Sequence, residues 1–159
     1  MIDTLIKINS GRKVAKKETK TKKTKRGRKK AYTYAIGRRK TATARVRLFK
    51  GRGNLVVNEQ PIEKYFPGEV NKIIYLRPFR TTETEGKYYA TIKVEGSGKN
   101  GQIGAVAHGL ARALDKENTE LHHLPLKKAG LLTRDPRMKE RRKAGLAQSA
   151  RAKKQSPKR

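Results

Sequence analysis

The residues best suited to chemistry in this chain are cations at short, regular spacing. Arg38, Arg39 and Lys40 are consecutive, and Arg45 and Arg47 follow two apart. Between Thr41 and Leu48 the sequence alternates: Ala42, Ala44, Val46 and Leu48 have one parity, and Thr41, Thr43, Arg45 and Arg47 the other. A strand sends successive side chains to opposite faces, about 6.5 Å apart along each face. One face is then apolar and packs on a core. The other is a row of cations and hydroxyls, with Arg39 expected in line behind it. That row fits the repeated phosphates of a polyanion.

Other chemistries find less support. The chain has no cysteine, which excludes disulfides and thiolate zinc sites. His108, His122 and His123 have no carboxylate set at ligand spacing, so no metal is expected. No nucleophile–base–orienter set stands out, and no enzyme activity is expected. Gly96-Ser97-Gly98-Lys99-Asn100-Gly101 matches G-x-G-x-x-G between an expected strand and a helix. A dinucleotide fold also needs a β-branched strand after that helix. Glu120-Leu121-His122-His123-Leu124-Pro125 stands there instead, and no cofactor or small-molecule substrate is expected. Backbone N–H groups at such a loop can still meet a phosphate, and Lys99 is a candidate contact.

Charge dominates everything else. Forty-two Lys and Arg against 13 Asp and Glu give a formal net charge of +29 in 159 residues. A small domain stays soluble with a magnitude of roughly 2–8. Charge of this size points to a large polyanion, nucleic acid first. No apolar run approaches the roughly 18 residues of a membrane span. The excess is uneven: +11 in residues 1–31, +9 in 32–133 and +9 in 134–159. The pattern is a basic N-terminal extension over 1–31, disordered or RNA-bound, a globular RNA-binding core over 32–133, and an extended basic tail over 134–159.

Within the core the spacing predicts a strand to Phe49 and a turn at Lys50–Gly53. A short strand at Leu55–Val57 is expected to close a hairpin with the first. A brief helix follows at Ile62–Tyr65, then a helix from Glu69 to Arg77 stopped by Pro78. Tyr88–Glu95 alternates as another strand. Gln102–Glu117 is the best helix, with Ile103, Val106, Ala107, Leu110 and Leu114 as its buried stripe and His108 and Arg112 on a different face. Leu124–Gly130 reads as a short helix, and Arg134–Arg137 as a turn.

Several stretches together resemble one known family. They are Gly37-Arg38-Arg39-Lys40-Thr41-Ala42 through Leu48; Val56-Val57-Asn58; Tyr65-Phe66-Pro67; Gly101-Gln102 through Leu114; and Lys127-Lys128-Ala129-Gly130-Leu131-Leu132-Thr133-Arg134-Asp135-Pro136-Arg137. The family is ribosomal protein nine of the small subunit, in its bacterial or organellar form. The resemblance implies an α+β fold: a mainly four-stranded sheet backed by helices with a left-handed βαβ crossover, like domain 2 of ribosomal protein S5. It implies a structural, non-enzymatic constituent of the small-subunit head, on a bacterial cytoplasmic or organellar ribosome. Its partners would be small-subunit rRNA, neighbouring head proteins and the anticodon stem-loop of P-site tRNA.

Expected rRNA contacts are Arg38, Arg39, Lys40, Arg45, Arg47, Lys99, Lys127, Lys128, Arg134, Arg137, Arg141, Arg142, Lys143, Arg151, Lys153 and Lys154. By resemblance, Lys158 and Arg159 would approach the tRNA. The tail departs from the family: Ser156-Pro157-Lys158-Arg159 lacks the usual aromatic, which leaves electrostatic contact without stacking. A free nucleic-acid-compacting protein is the alternative, since it would share the charge and the arms.

Overall fold

A computed structural model describes residues 31–146 and 148–152. Its centre is one five-stranded sheet: β1 (Thr33–Arg39), β2 (Ala42–Lys50), β3 (Val56–Val57), β4 (Gln60–Pro61) and β5 (Tyr88–Glu95), in the order β1-β2-β5-β3-β4. Four helices accompany it: α1 (Ile62–Tyr65), α2 (Glu69–Thr81), α3 (Lys99–Glu117) and α4 (Thr119–Lys128). The fold is the α+β class expected, with β4 as a fifth, two-residue edge strand.

The hairpin lies elsewhere than expected. Lys40 and Thr41 join β1 to β2, with Arg39 opposite Ala42 and Lys40 at φ 51°. The other flank of β2 pairs with β5, from Thr43 opposite Glu95 to Lys50 opposite Tyr88. Leu55–Val57 therefore does not pair with β2. Val56 and Val57 run parallel to Thr91 and Ile92 instead. The reason is length. β5 matches the alternation of β2 over eight pairs, whereas β3 offers a two-residue ladder. β3 and β5, parallel and adjacent, are joined through β4, α1 and α2, which makes the βαβ crossover.

Asn58 holds that crossover in place. Asn58 and Glu59 have φ of 46° and 68° in the tight β3–β4 turn. The Asn58 amide donates to Val94 O (3.0 Å) and its Oδ1 accepts from Val94 N (2.9 Å). It thus extends the ladder beyond β3 in place of a backbone.

The core lies between one sheet face and the helices. Ala35, Ala44, Val46, Leu48, Ile92 and Val94 meet Ile103, Val106, Leu110 and Leu114 of α3, all buried. Pro78 does not end α2. The helix continues to Thr81 and buries Pro78 and Phe79, and the Thr81 and Thr82 hydroxyls bond back to the Arg77 and Pro78 carbonyls. Burial outweighs the one N–H that proline lacks. Val70 and Ile73 of α2 stay exposed. The last helix also starts earlier than expected: Asn118 caps it by accepting from Leu121 N, and Pro125 sits inside it.

α3 lies close along β1. At Gly37 an added Cβ would overlap Ala105 O and Gly109 N, and at Gly109 it would come within 2.7 Å of Val46 Cγ2. Only glycine permits that approach. Three α3 side chains four residues apart then meet β1's outer backbone groups. His108 Nδ1 accepts from Arg38 N (3.2 Å), Arg112 donates to Ile36 O (2.6 Å) and Lys116 donates to Tyr34 O (3.2 Å). Four helical residues rise about 6 Å and two strand residues about 6.7 Å, so the two ladders stay in step.

Candidate nucleic-acid interface

The second face of the sheet carries no helix among the described residues. Across the central strands it shows Ile36, Arg45 and Lys93 in one line, and Tyr34, Arg47 and Thr91 in the next. Arg45 stands directly opposite Lys93. Like charges so placed repel. Glu95 lies between them, 3.6 Å from Arg45 and 3.7 Å from Lys93. Arg47 has no carboxylate partner among the described residues; its guanidinium sits 5.5 Å from the Tyr32 ring centre. This is a cationic floor built on paired strands, with one arginine that no carboxylate among the described residues neutralises.

Arg39 is not part of that row. Its parity in β1 is that of Ala35 and Gly37, so it points to the helix side. There its chain crosses Gly104, its guanidinium lies 3.0 Å from Asp135, and its Nε is buried without a partner. One strand through Arg39 and Thr41 would align Arg39 with the row, but β1 ends at Arg39, and the turn at Lys40–Thr41 separates it from the row on β2.

A second basic group forms at this turn. Arg134 donates to Lys40 O (3.2 Å), and Asp135 accepts from Arg137 through its backbone and guanidinium (each 3.0 Å). These bonds, with Arg39 beside it, hold the Asp135 carboxyl well below the usual carboxylate range. Asp135 therefore stays ionised and ties the chain leaving the body to the hairpin. His108 adds a further tie, with Nε2 3.2 Å from Leu132 O. Since Nδ1 accepts from Arg38 N, Nε2 carries the proton and donates. Burial lowers the His108 pKa, which keeps the ring neutral in this role.

The remaining candidates disperse. Arg38 is exposed at the β1 end, and Lys127 and Lys128 are exposed in the last turn of α4. Lys99 Nζ rests 3.3 Å from the Tyr65 ring centre, and Lys99 begins α3 rather than lying in a loop. Arg141 and Lys143 are exposed in the tail segment, where Arg142 reaches Gln148. Arg151 is paired with Glu140 (2.6 and 2.9 Å). Lys153, Lys154, Lys158 and Arg159 lie outside the described residues. Lys93 and Tyr34 were missed as site residues. The alternation of β5 already gave Lys93 its parity, but not the strand beside it.

The glycine loop and the histidines take other places in the fold. α3 is followed by α4, not by a strand, so the glycine loop does not open a dinucleotide fold. Gly96 instead packs on the hairpin turn, where an added Cβ would meet Thr41 O at 2.6 Å. His122 is buried and His123 pairs with Asp115 at 2.9 Å. Among the described residues no group of three His, Asp or Glu could hold a metal, and no helix is long and apolar enough to cross a membrane.

Comparison with known protein families gives a match to "Ribosomal protein S9/S16" over residues 37–159, most of the chain and all of the sheet from Gly37 onward. Proteins of this kind are structural parts of the ribosome and bind its RNA, which is what a cationic sheet face beside a basic turn can do. The chain belongs to the ribosomal protein S9/S16 family.

Proposed function

We propose that this protein is the ninth protein of the small ribosomal subunit, seated in the head of that subunit. There its body binds rRNA and its tail extends toward P-site tRNA. Arg45, Arg47 and Lys40 would take phosphates at the sheet and its turn, and Lys127 and Lys128 at the end of α4. Lys153 and Lys154 would follow RNA along the tail, and Lys158 and Arg159 would reach the anticodon stem-loop. The supporting observation is the exit of the tail. Leu132, Arg134 and Asp135 are tied to His108, Lys40 and Arg39, so the tail leaves the body from a fixed point beside the cationic hairpin. A fixed exit gives a basic tail a direction.

The test is to delete residues 147–159 and measure P-site tRNA binding to reconstituted small subunits at several salt concentrations. Some five lost single-strand-like phosphate contacts would make the log K against log salt slope shallower by roughly 3.5. Unchanged affinity and slope would rule out the tRNA contact. A body that washes off small subunits at high salt would favour the nucleic-acid-compacting alternative.

A further inference from the structure

The open face carries an aromatic ring as well as charge. Its groove, about 950 Å³, has Tyr34 on one wall, Asn58 on the other, and Arg47 and Thr91 on the floor between. Tyr34 is opposite Arg47, and Arg47 is opposite Thr91. With strands about 4.8 Å apart, ring, guanidinium and hydroxyl follow one another across about 10 Å. The other aromatic rings on this face are occupied: Tyr89 stacks on Phe49 at 4.9 Å, and Tyr32 lies beside Phe49 and Arg47. Tyr34 is 38 % exposed, and among the described residues no aromatic ring stacks on its ring and no cation lies over it.

A bare ring beside an arginine that no described carboxylate neutralises fits a flat π system that carries a phosphate. Unpaired nucleotides bind in that way, base on ring and backbone on cation. A duplex could offer phosphates to Arg47, but its bases remain stacked on one another. The chain's own residues 1–31, with 13 basic and 2 acidic groups, would be repelled by Arg45, Arg47 and Lys93. An acidic peptide would meet the cations but leave the ring without a planar partner. The Asn58 amide, which would otherwise read a base edge, is committed to Val94.

We infer that the open sheet face holds a single-stranded segment of RNA, with one base stacked on Tyr34 and the adjoining phosphates on Arg47 and Arg45. This rests on the reading of the protein as an rRNA binder and specifies the form of RNA. Because the Asn58 amide is engaged, the contact discriminates unpaired from paired RNA more than one base from another.

The experiment compares the full chain with Tyr34→Ala, Tyr34→Phe and Arg47→Ala. The probes are a mixed-sequence RNA single strand and a fully paired RNA duplex with the same number of phosphates. Tyr34→Ala should weaken single-strand binding by about 5- to 100-fold, leave duplex binding unchanged and keep the salt slope. Tyr34→Phe should restore the affinity. Arg47→Ala should lower the single-strand slope by about 0.7. In the wild-type complex the Tyr34 ring protons should shift upfield under a stacked base. The ring is exposed and the Lys116 bond goes to the Tyr34 carbonyl, so these variants should melt like the parent. Equal losses on both probes, no loss at Tyr34→Ala, or displacement of the single strand by an acidic peptide would overturn the inference. A wild-type chain that does not prefer rRNA to random polyanions would instead overturn the function proposed above.

Discussion

On its helix side β2 presents Ala42, Ala44, Val46 and Leu48, none more than 2 % exposed. On its other side the same strand presents Arg45 and Arg47 in solvent. The two faces differ in what limits them. The covered face is limited by volume: Gly37, Gly109 and Ala105 let α3 settle on β1, and no side chain there has room to grow. The open face is limited by charge, and Glu95 moderates the repulsion between Arg45 and Lys93 without neutralising the surface. Stability should therefore reside on one face and binding on the other. Substitutions can break that division or sharpen it.

The largest effect should come at Gly37. Gly37→Ala forces a methyl group into the Ala105 carbonyl and the Gly109 amide, both backbone, so α3 must lift from β1. We expect a loss of at least about 4 kcal/mol, in the range kept for such core failures, measured by urea unfolding. A variant within about 1 kcal/mol of the parent would show the seam to be loose. Next comes Leu110→Ala. Leu110 is fully buried in the same interface, and truncation should cost about 2–5 kcal/mol.

A smaller effect should follow pH through His108. Its pKa is lowered chiefly by burial, against the bonds to Leu132 and Arg38, and Arg112 and Arg134 lower it further. The unfolded chain then binds the proton more readily than the folded one. Stability is full above the ordinary histidine value near 6.5, falls as pH drops below it, and levels off below the folded value. His122, also lowered by burial, acts in the same direction. Urea midpoints at pH 7.5 and 5.5 should differ in the parent and differ less in His108→Gln. The remaining difference would belong to His122, and identical pH dependence would mean that His108 is protonated without cost.

The smallest effect on stability should come from the open face. Arg45→Ala and Arg47→Ala should shift unfolding by no more than about 0.5 kcal/mol. Both should still weaken rRNA binding, with a salt slope lower by about 0.7–0.9 for each lost phosphate. Destabilisation as large as that of Leu110→Ala would end the division of labour between the faces.

Much of this was legible in the sequence because local patterns carried it. The alternation of β2 and β5, the apolar stripe of α3 and the run from Lys127 to Arg137 each state their roles within a few residues. Partners distant in the chain were harder to read. β5 lies some forty residues beyond β2, while Leu55–Val57 lies close by, so nearness suggested the wrong hairpin. The place of Arg39 is hard to read because a two-residue turn without glycine gives little warning; Lys40 takes the left-handed conformation despite its side chain. By spacing alone Pro78 is a stop, because what overrides it, burial of Pro78 and Phe79, depends on packing that spacing does not display.

The ladder of His108, Arg112 and Lys116 along β1 has one more consequence. An open sheet can grow by accepting a foreign strand at its rim, which leads to swapping and to fibres. On this flank side chains already take the Arg38 amide and the Ile36 and Tyr34 carbonyls, three of the backbone groups that a newcomer would need. On the opposite flank β4 is two residues long and ends in Pro61, which has no N–H to offer. Recruitment of another chain through lateral β-pairing is thus discouraged at both margins, and a visitor is left to approach broadside.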